Sequence, residues 1–363
     1  MERFGVMGKS ISIWIGIVLA AMAGLSAEAQ LVSETGGSIS PPRIEAVKLE
    51  FADRYVYADL SRGDVTDREV EYRMSDVLRV HLDRKQTSWI EARGESGNSF
   101  NNSWSEAGIG MTRGSLIYNV KSLFLAQRFG SNLEAEAGGI EFERGAGTEL
   151  TYAAGEGWLT GYRLRLVDLP KLPRQLTATA GYIGDFDRSN FFSRGSRMGQ
   201  VNYFQFLGQQ PLSANSTASL EVDSLHGMGF VRGAVKAGNL PGHVIDGVVV
   251  ESIGRFSSSG ITGWSISMDR GFDRDRLKLD ARYSDIPPAL FRKSGQFTLL
   301  NGGEVGFGQR AAVNPSIKLG GAASLEVLCS RRLDNSLTTP RWRGFVALHY
   351  DTASLFNKVA QIF

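Results

Sequence analysis

The sequence predicts an all-β chain closed into an antiparallel transmembrane β-barrel, with an even number of strands, about 16–18. Three observations predict it. Between Val70 and Leu82 the side chains alternate: Val70, Tyr72, Met74, Leu78, Val80 and Leu82 fall on one face, while Glu71, Arg73, Ser75, Arg79 and His81 fall on the other. Asp76 and Val77 are the exceptions. Successive side chains of a strand point to opposite faces, so this segment has one apolar and one charged side. The run outlasts an ordinary strand of about 5–6 residues and matches the roughly 9–11 that a tilted membrane-crossing strand needs. The second observation is that such runs recur along the chain. The third is that no stretch beyond the first 29 residues is long and apolar enough for a helical span. A membrane-embedded chain of this kind must close its backbone hydrogen bonds in a barrel.

Residues 1–29 are expected to be a secretory signal peptide. Arg3 and Lys9 make a basic start, Ile11 to Leu25 an apolar core, and Ala27-Glu28-Ala29 a cleavage site before Gln30. The core is short for a transmembrane helix of about 20 residues. Composition agrees with a half-apolar barrel: 42% of residues are hydrophobic and 43 are Gly, the latter well above the usual ~7%. A formal net charge of +2 argues against a nucleic-acid binder, which carries a strongly basic face. The single Cys329 rules out an intramolecular disulfide. No Pro/Ser-rich linker interrupts the mature chain, so 30–42 is expected as a periplasmic lead-in and 43–363 as one barrel domain.

The first strand carries Val47, Leu49, Phe51, Asp53, Tyr55 and Tyr57 on one side, with Lys48, Glu50 and Arg54 on the other. The Val70 strand follows, then a turn at Asp83-Arg84-Lys85-Gln86 and strands at Trp89 to Arg93, Trp104 to Met111, Leu116 to Phe124 and Leu133 to Phe142. Clear alternation marks Tyr162 to Val167, Leu176 to Tyr182, Trp264 to Met268, Leu277 to Tyr283, Leu325 to Cys329 and Trp342 to Tyr350. Less regular runs lie near 201–207, 217–223, 229–237, 245–254, 303–308 and 315–319. Connections rich in Gly, Asp, Asn and Pro separate them. On this assignment the long stretches Glu143 to Gly157, Asp185 to Gln200 and Ile286 to Leu300 do not all fall at one end, although barrels of this kind alternate short and long connections. Leu355, Phe356, Val359, Ile362 and Phe363 recur at helical spacing and are expected as a short amphipathic tail.

The signal peptide, the long alternating strands with aromatic ends and the C-terminal Phe363 resemble bacterial outer-membrane barrels of the porin type. The resemblance implies a polar lumen, passive diffusion of small hydrophilic solutes, outer-membrane lipid around the wall, and an assembly machinery that reads the last strand. Porins often trimerise, so it also implies a homotrimer.

The inward faces carry the candidate site. Glu71, Arg73, Arg79, Lys121, Arg163, Arg165, Lys278 and Arg282 are expected to line the pore, with His81 and Asp280 beside them, since Arg or Lys facing lipid at the midplane costs about 2–4 kcal/mol. A lumen rich in Arg and Lys favours anions. The competing reading pairs these cations with Glu50, Glu71, Glu134, Glu136 and Asp280 as bracing ladders. Tyr55, Tyr57, Trp89, Trp104, Trp158, Trp264, Trp342 and Tyr350 are expected as interfacial girdles. His81, His226, His243 and His349 show no paired metal spacing, and no nucleophile motif or phosphate loop is present, so no catalytic residue, cofactor or metal is assigned. Asp185, Asp187 and Asn190 lack the full spacing of a calcium loop and are expected as a polar loop. Three rivals remain: a plugged barrel with a structural or adhesive role, filled by the 143–157 and 286–300 stretches; an outer-membrane lipid hydrolase using a Ser–His pair; and a secreted β-sandwich.

Overall fold

The computed structural model describes residues 44–59, 66–83, 85–97, 119–148, 158–169, 174–183, 190–225, 227–240, 245–256, 260–272, 276–290, 308–320, 323–334 and 342–351. Within them lie sixteen strands. They are β1 (Ile44–Asp59), β2 (Thr66–His81), β3 (Ser88–Gly97), β4 (Asn119–Phe129), β5 (Leu133–Glu141), β6 (Trp158–Val167), β7 (Gln175–Tyr182) and β8 (Tyr203–Ser213). The second half contains β9 (Ser216–Leu225), β10 (Met228–Gly238), β11 (Gly247–Arg255), β12 (Thr262–Phe272), β13 (Leu277–Ile286), β14 (Gly308–Gly320), β15 (Ala323–Arg332) and β16 (Trp342–Asp351). Each pairs antiparallel with its neighbours in sequence. β16 pairs back onto β1, from Glu50 opposite Asp351 to Asp59 opposite Trp342, so the pairings follow one another round a ring.

Alternation decides which way each side chain points. On β6 Tyr162, Leu164 and Leu166 are exposed on the outer face, while Arg163 is buried on the inner one. On β8 Phe204 and Phe206 point out and Tyr203, Gln205 and Leu207 point in. The outer face forms an apolar surface running through Leu125, Leu164, Phe206, Leu220, Val250 and Leu348, all exposed. Trp264 and Trp342 stand on it at the starts of β12 and β16, and Phe129 and Phe272 at the opposite ends of β4 and β12. The Arg331 guanidinium lies 5.0 Å from the Trp342 ring and that of Arg270 lies 5.1 Å from Phe272. Cations at both margins is the arrangement of long side chains that reach for a polar boundary.

The strand boundaries differ from the sequence reading in two places. The 303–308 and 315–319 runs contribute to a single strand, β14, and β3 continues to Gly97; the 104–111 run lies outside the described residues. The stretches after β5, β7 and β13 each follow an odd-numbered strand of the antiparallel order, so all three leave at the same end. The opposite end has the tight turns. At 82–87 Asp83 accepts hydrogen bonds from Ser88 N and Thr87 Oγ1, both 2.7 Å, and these hold its carboxyl below the usual range. The signal peptide and the 355–363 tail also lie outside the described residues.

Two glycines are required by close approach. Gly138 has φ +138°, and a Cβ there would collide with the Leu123 carbonyl oxygen across the β4–β5 pair. Gly138→Ala is expected to lower stability by about 1–3 kcal/mol, read as a fall in the urea midpoint of the detergent-folded chain; an unchanged midpoint would show that the wall relaxes there. Gly161 sits opposite Gly181 in the β6–β7 pair, and a Cβ on it would meet the Ala180 carbonyl oxygen.

Candidate functional site

Chain leaving β5 turns into the lumen. Phe142 packs edge-on against Tyr203, ring centroids 5.2 Å apart, and the segment then crosses the inner wall from β6 towards β11. The Glu143 carboxylate takes Arg165 Nη2 at 2.9 Å and Thr177 Oγ1 at 3.2 Å, and lies 3.2 Å from Arg163 Nε. Its carbonyl oxygen accepts from Gln205 Nε2 at 2.7 Å. Further along, Ala146 N donates to Gln209 Oε1 at 2.8 Å and the Ala146 carbonyl accepts from Ser219 Oγ at 3.0 Å. Gly145 and Gly147 follow this path without side chains; a Cβ at Gly145 would press on Ser219 and Leu207. Burial raises the Glu143 carboxyl, but the Arg165 hydrogen bonds and the charges of Arg163 and Arg165 outweigh it and hold its pKa below the ordinary value.

The inner wall beside this segment is a ladder of opposite charges. Glu134 stands opposite Arg165 and Glu136 opposite Arg163 across β5–β6. Arg163 Nη1 reaches Glu136 at 2.8 Å, Arg165 also pairs with Glu134, and Arg128 Nη2 reaches Glu134 at 3.2 Å. Arg79 pairs with Glu91 at 2.6 Å and Arg93 with Glu141. Together they enclose a cavity of about 340 Å³. A second cluster, Glu221, Asp223 and Arg232 on β9 and β10, is almost wholly buried. Gln205 donates to Glu221 at 2.8 Å and so ties this cluster to the Glu143 backbone.

Towards the end with the long connections, the lumen holds apolar side chains instead. Ile140, Phe142, Leu159, Tyr203, Phe230 and Ile253 pack with Leu290 of the turn after β13. Both stretches that the sequence marked as able to fold inward therefore begin by doing so, as far as Thr148 and Leu290.

Of the expected lining residues, Arg79, Arg163 and Arg165 face inward and each is met by carboxylates. Lys278 lies on the inner row of β13, exposed, and Arg282 on the same row, buried. Glu71 and Arg73 occupy the same register row of β2 as Arg79. Lys121 lies at a bulge, where the β3–β4 register shifts so that Ser122 stands opposite Arg93 and Val120 opposite Gly94; its side chain is buried and its carbonyl accepts from Arg194 at 2.7 Å. Trp89 departs from expectation: pairing opposite His81 turns it inward, and it is 5% exposed instead of standing in a girdle. His81 is buried beside it, and His349 Nε2 lies 3.0 Å from Glu326; His226, His243, Asp185, Asp187 and Trp104 lie outside the described residues. Asn190 caps a single helical turn, accepting from Phe192 N. Glu143, Glu221, Asp223 and Arg232 went unmarked. The alternation of Ser219, Glu221 and Asp223 with Leu220 and Val222 was the signal for the first two strand carboxylates.

An antiparallel ring of long strands, apolar outside and charged inside, with one connection folded across the lumen, is the architecture of a porin-like β-barrel. Similar solved structures include those of the Rhodopseudomonas blastica porin: three engineered variants superpose with TM-scores of 0.55, 0.54 and 0.52, each 8% identical in sequence and each covering 85% of this chain and 100% of the porin. No family model matches the chain, and no curated protein matches it in sequence.

Proposed function

We propose that this protein is an outer-membrane channel through which small hydrophilic solutes diffuse passively, its closed barrel seated in lipid by the apolar outer face. The observation that carries this reading is the segregation of charge: the inner rows bear the Arg–Glu ladder while the outer rows are apolar. Hydrocarbon accepts such an outer face and rejects the inner one. The 142–148 segment narrows the passage, and its docking onto β6–β9 sets the width. No step of this function calls for a catalytic group.

Selectivity rests on the cations that the ladder leaves over. Arg163 and Arg165 are neutralised by their partners, whereas Lys236, Lys278 and Lys318 are exposed on the inner rows towards the end with the tight turns, and there they support a mild preference for anions. Under a salt gradient across a planar bilayer, the reversal potential is expected to show weak anion selectivity. Lys278→Gln with Lys318→Gln should move it towards zero. A cation-selective native channel, or a reversal potential that ignores both substitutions, overturns the assignment.

A second reading, a filled barrel with a structural or adhesive role, has one observation in its support. Inner-face polar side chains such as Gln205, Glu221, Ser265, Ser284 and Ser330 are at most 3% exposed, whereas a wide aqueous pore wets its wall. Electrical silence from protein shown independently to be folded and inserted would decide for it.

A further inference from the structure

We infer that the connection between β7 and β8 is an interfacial anchor. Its residues 190–197 lie along the outer wall, at the margin with the long connections, and dock onto the headgroup boundary of the surrounding phospholipid leaflet. The inference rests on the barrel's seat in lipid and not on conduction.

Three side chains at a spacing of three fix the path of this segment. Phe191 covers Gly139, where a Cβ would collide with its ring. Arg194 is buried and donates from Nη1 to Thr160 Oγ1 at 3.2 Å and from Nη2 to the Lys121 carbonyl at 2.7 Å. The Arg197 guanidinium stands 5.3 Å from the Tyr182 ring centroid. Gly139, Thr160 and Tyr182 form one register row across β5, β6 and β7. The helical turn Phe191–Arg194 runs on into a 3₁₀ turn, Gly195–Arg197, and such geometry brings residues three apart onto one face.

That row belongs to the outer wall. On β6, Leu159 and Arg163 face the lumen, whereas Thr160 shares its side with Tyr162 and Leu164, both exposed. Thr160 is nevertheless wholly buried, because the connection doubles back over the outside of the barrel.

The occupant follows from what adjoins the segment. The next outer row towards the middle, Ala137, Tyr162, Ala180 and Phe204, lies two residues along each strand, about 7 Å away. Tyr162 and Phe204 are exposed there on the apolar wall, so the segment continues the lipid-facing surface. Its composition fits a membrane boundary: Asn190 to Asn202 holds two Phe and two Arg but no Asp or Glu. Phe192, 61% exposed, points away from the wall, with Ser193 and Ser196 exposed beside it. An aromatic ring among hydroxyls and basic side chains suits the headgroup level, where rings and long cationic side chains concentrate.

Nitroxide labels on the full chain carrying Cys329→Ser test this in vesicles of phosphatidylcholine and phosphatidylglycerol. The readout is collision with oxygen against collision with a water-soluble nickel chelate. A label on Leu164→Cys gives the lipid-facing reference, and one on Ser131→Cys, in the exposed turn between β4 and β5, gives the aqueous one. Labels on Phe192→Cys and Ser196→Cys are expected to favour oxygen severalfold more than the Ser131→Cys label does. Arg194→Gln removes the clasp on Thr160 and is expected to return the Phe192→Cys label to the aqueous reading. Gly139→Leu, which displaces Phe191, serves should Arg194→Gln fail to fold. Aqueous readings at both positions overturn the anchor. Low collision with both reagents also overturns it, since protein, such as a second copy of this chain, would then cover the segment. So does a Phe192→Cys label that stays unmoved in the folded variants. A nickel-favouring Leu164→Cys label overturns the seat in lipid itself; an oxygen-favouring one beside aqueous readings at Phe192→Cys and Ser196→Cys removes the anchor alone.

Discussion

Glu143→Gln is expected to release the inward segment and raise single-channel conductance, with frequent switching between the native level and a larger one. Glu143 is the anchor of the segment, taking Arg163, Arg165 and Thr177 on its carboxylate. Charge-assisted hydrogen bonds of this kind contribute about 1.5–3 kcal/mol, equivalent to a roughly 10–100-fold change in the undocked population. Glu134 and Glu136 remain on the wall and keep both arginines paired, so the barrel itself should stay folded. The pH dependence has a defined sign. A carboxyl whose docked pKa lies below its ordinary value contributes its stabilisation above that ordinary value. The contribution is lost as pH falls through the depressed one. Conductance should therefore be flat from neutral pH down to about 5 and rise only below the usual carboxylate range near 4. The largest component of the low-pH rise should vanish in Glu143→Gln. A native channel that widens between pH 7 and 5, or Glu143→Gln that conducts like the native protein, would show that the carboxylate does not hold the segment.

The largest stability effect is expected at Arg232. Its side chain and those of Glu221 and Asp223 are at most 1% exposed, with Arg232 Nη2 lying 3.3 Å from Glu221 and bonded directly to Asp223. Arg232→Met leaves two buried carboxylates on β9 without this cation, a loss of about 3–5 kcal/mol by the usual cost of breaking one side of a buried ion pair. The urea midpoint of the folded chain and its heat-resistant migration should both fall. Combining Arg232→Met with Glu221→Gln and Asp223→Asn should recover most of the loss, since the penalty comes from unpaired charge and not from lost packing. Failure of the triple variant to recover would place the cost in packing of the Arg232 stem.

Neither effect could be written down from the strand pattern. Period-two alternation marked Arg163 and Arg165 as inward and left open whether they stand free or meet Glu134 and Glu136. The two outcomes differ only in the register between β5 and β6, which depends on pairing along the whole strand. Glu143 was visible only as the start of a long connection. Its role follows from the segment turning inward to reach β6, β7 and β8, more than twenty residues further on.

What the sequence by itself determined is the all-β class, most strand positions and the sidedness of clean runs such as Tyr162 to Val167 and Trp342 to Tyr350. These depend only on each residue's neighbours along one strand, where successive side chains must point oppositely. Only the tertiary structure decided the strand count, the end at which each connection emerges, and the partners of the inner charges. A β-bulge shifts the strand's phase at Lys121 and pairing with β2 turns Trp89 inward. Both depend on contacts with strands distant in sequence, and a shift of one residue in pairing exchanges the two faces of a strand.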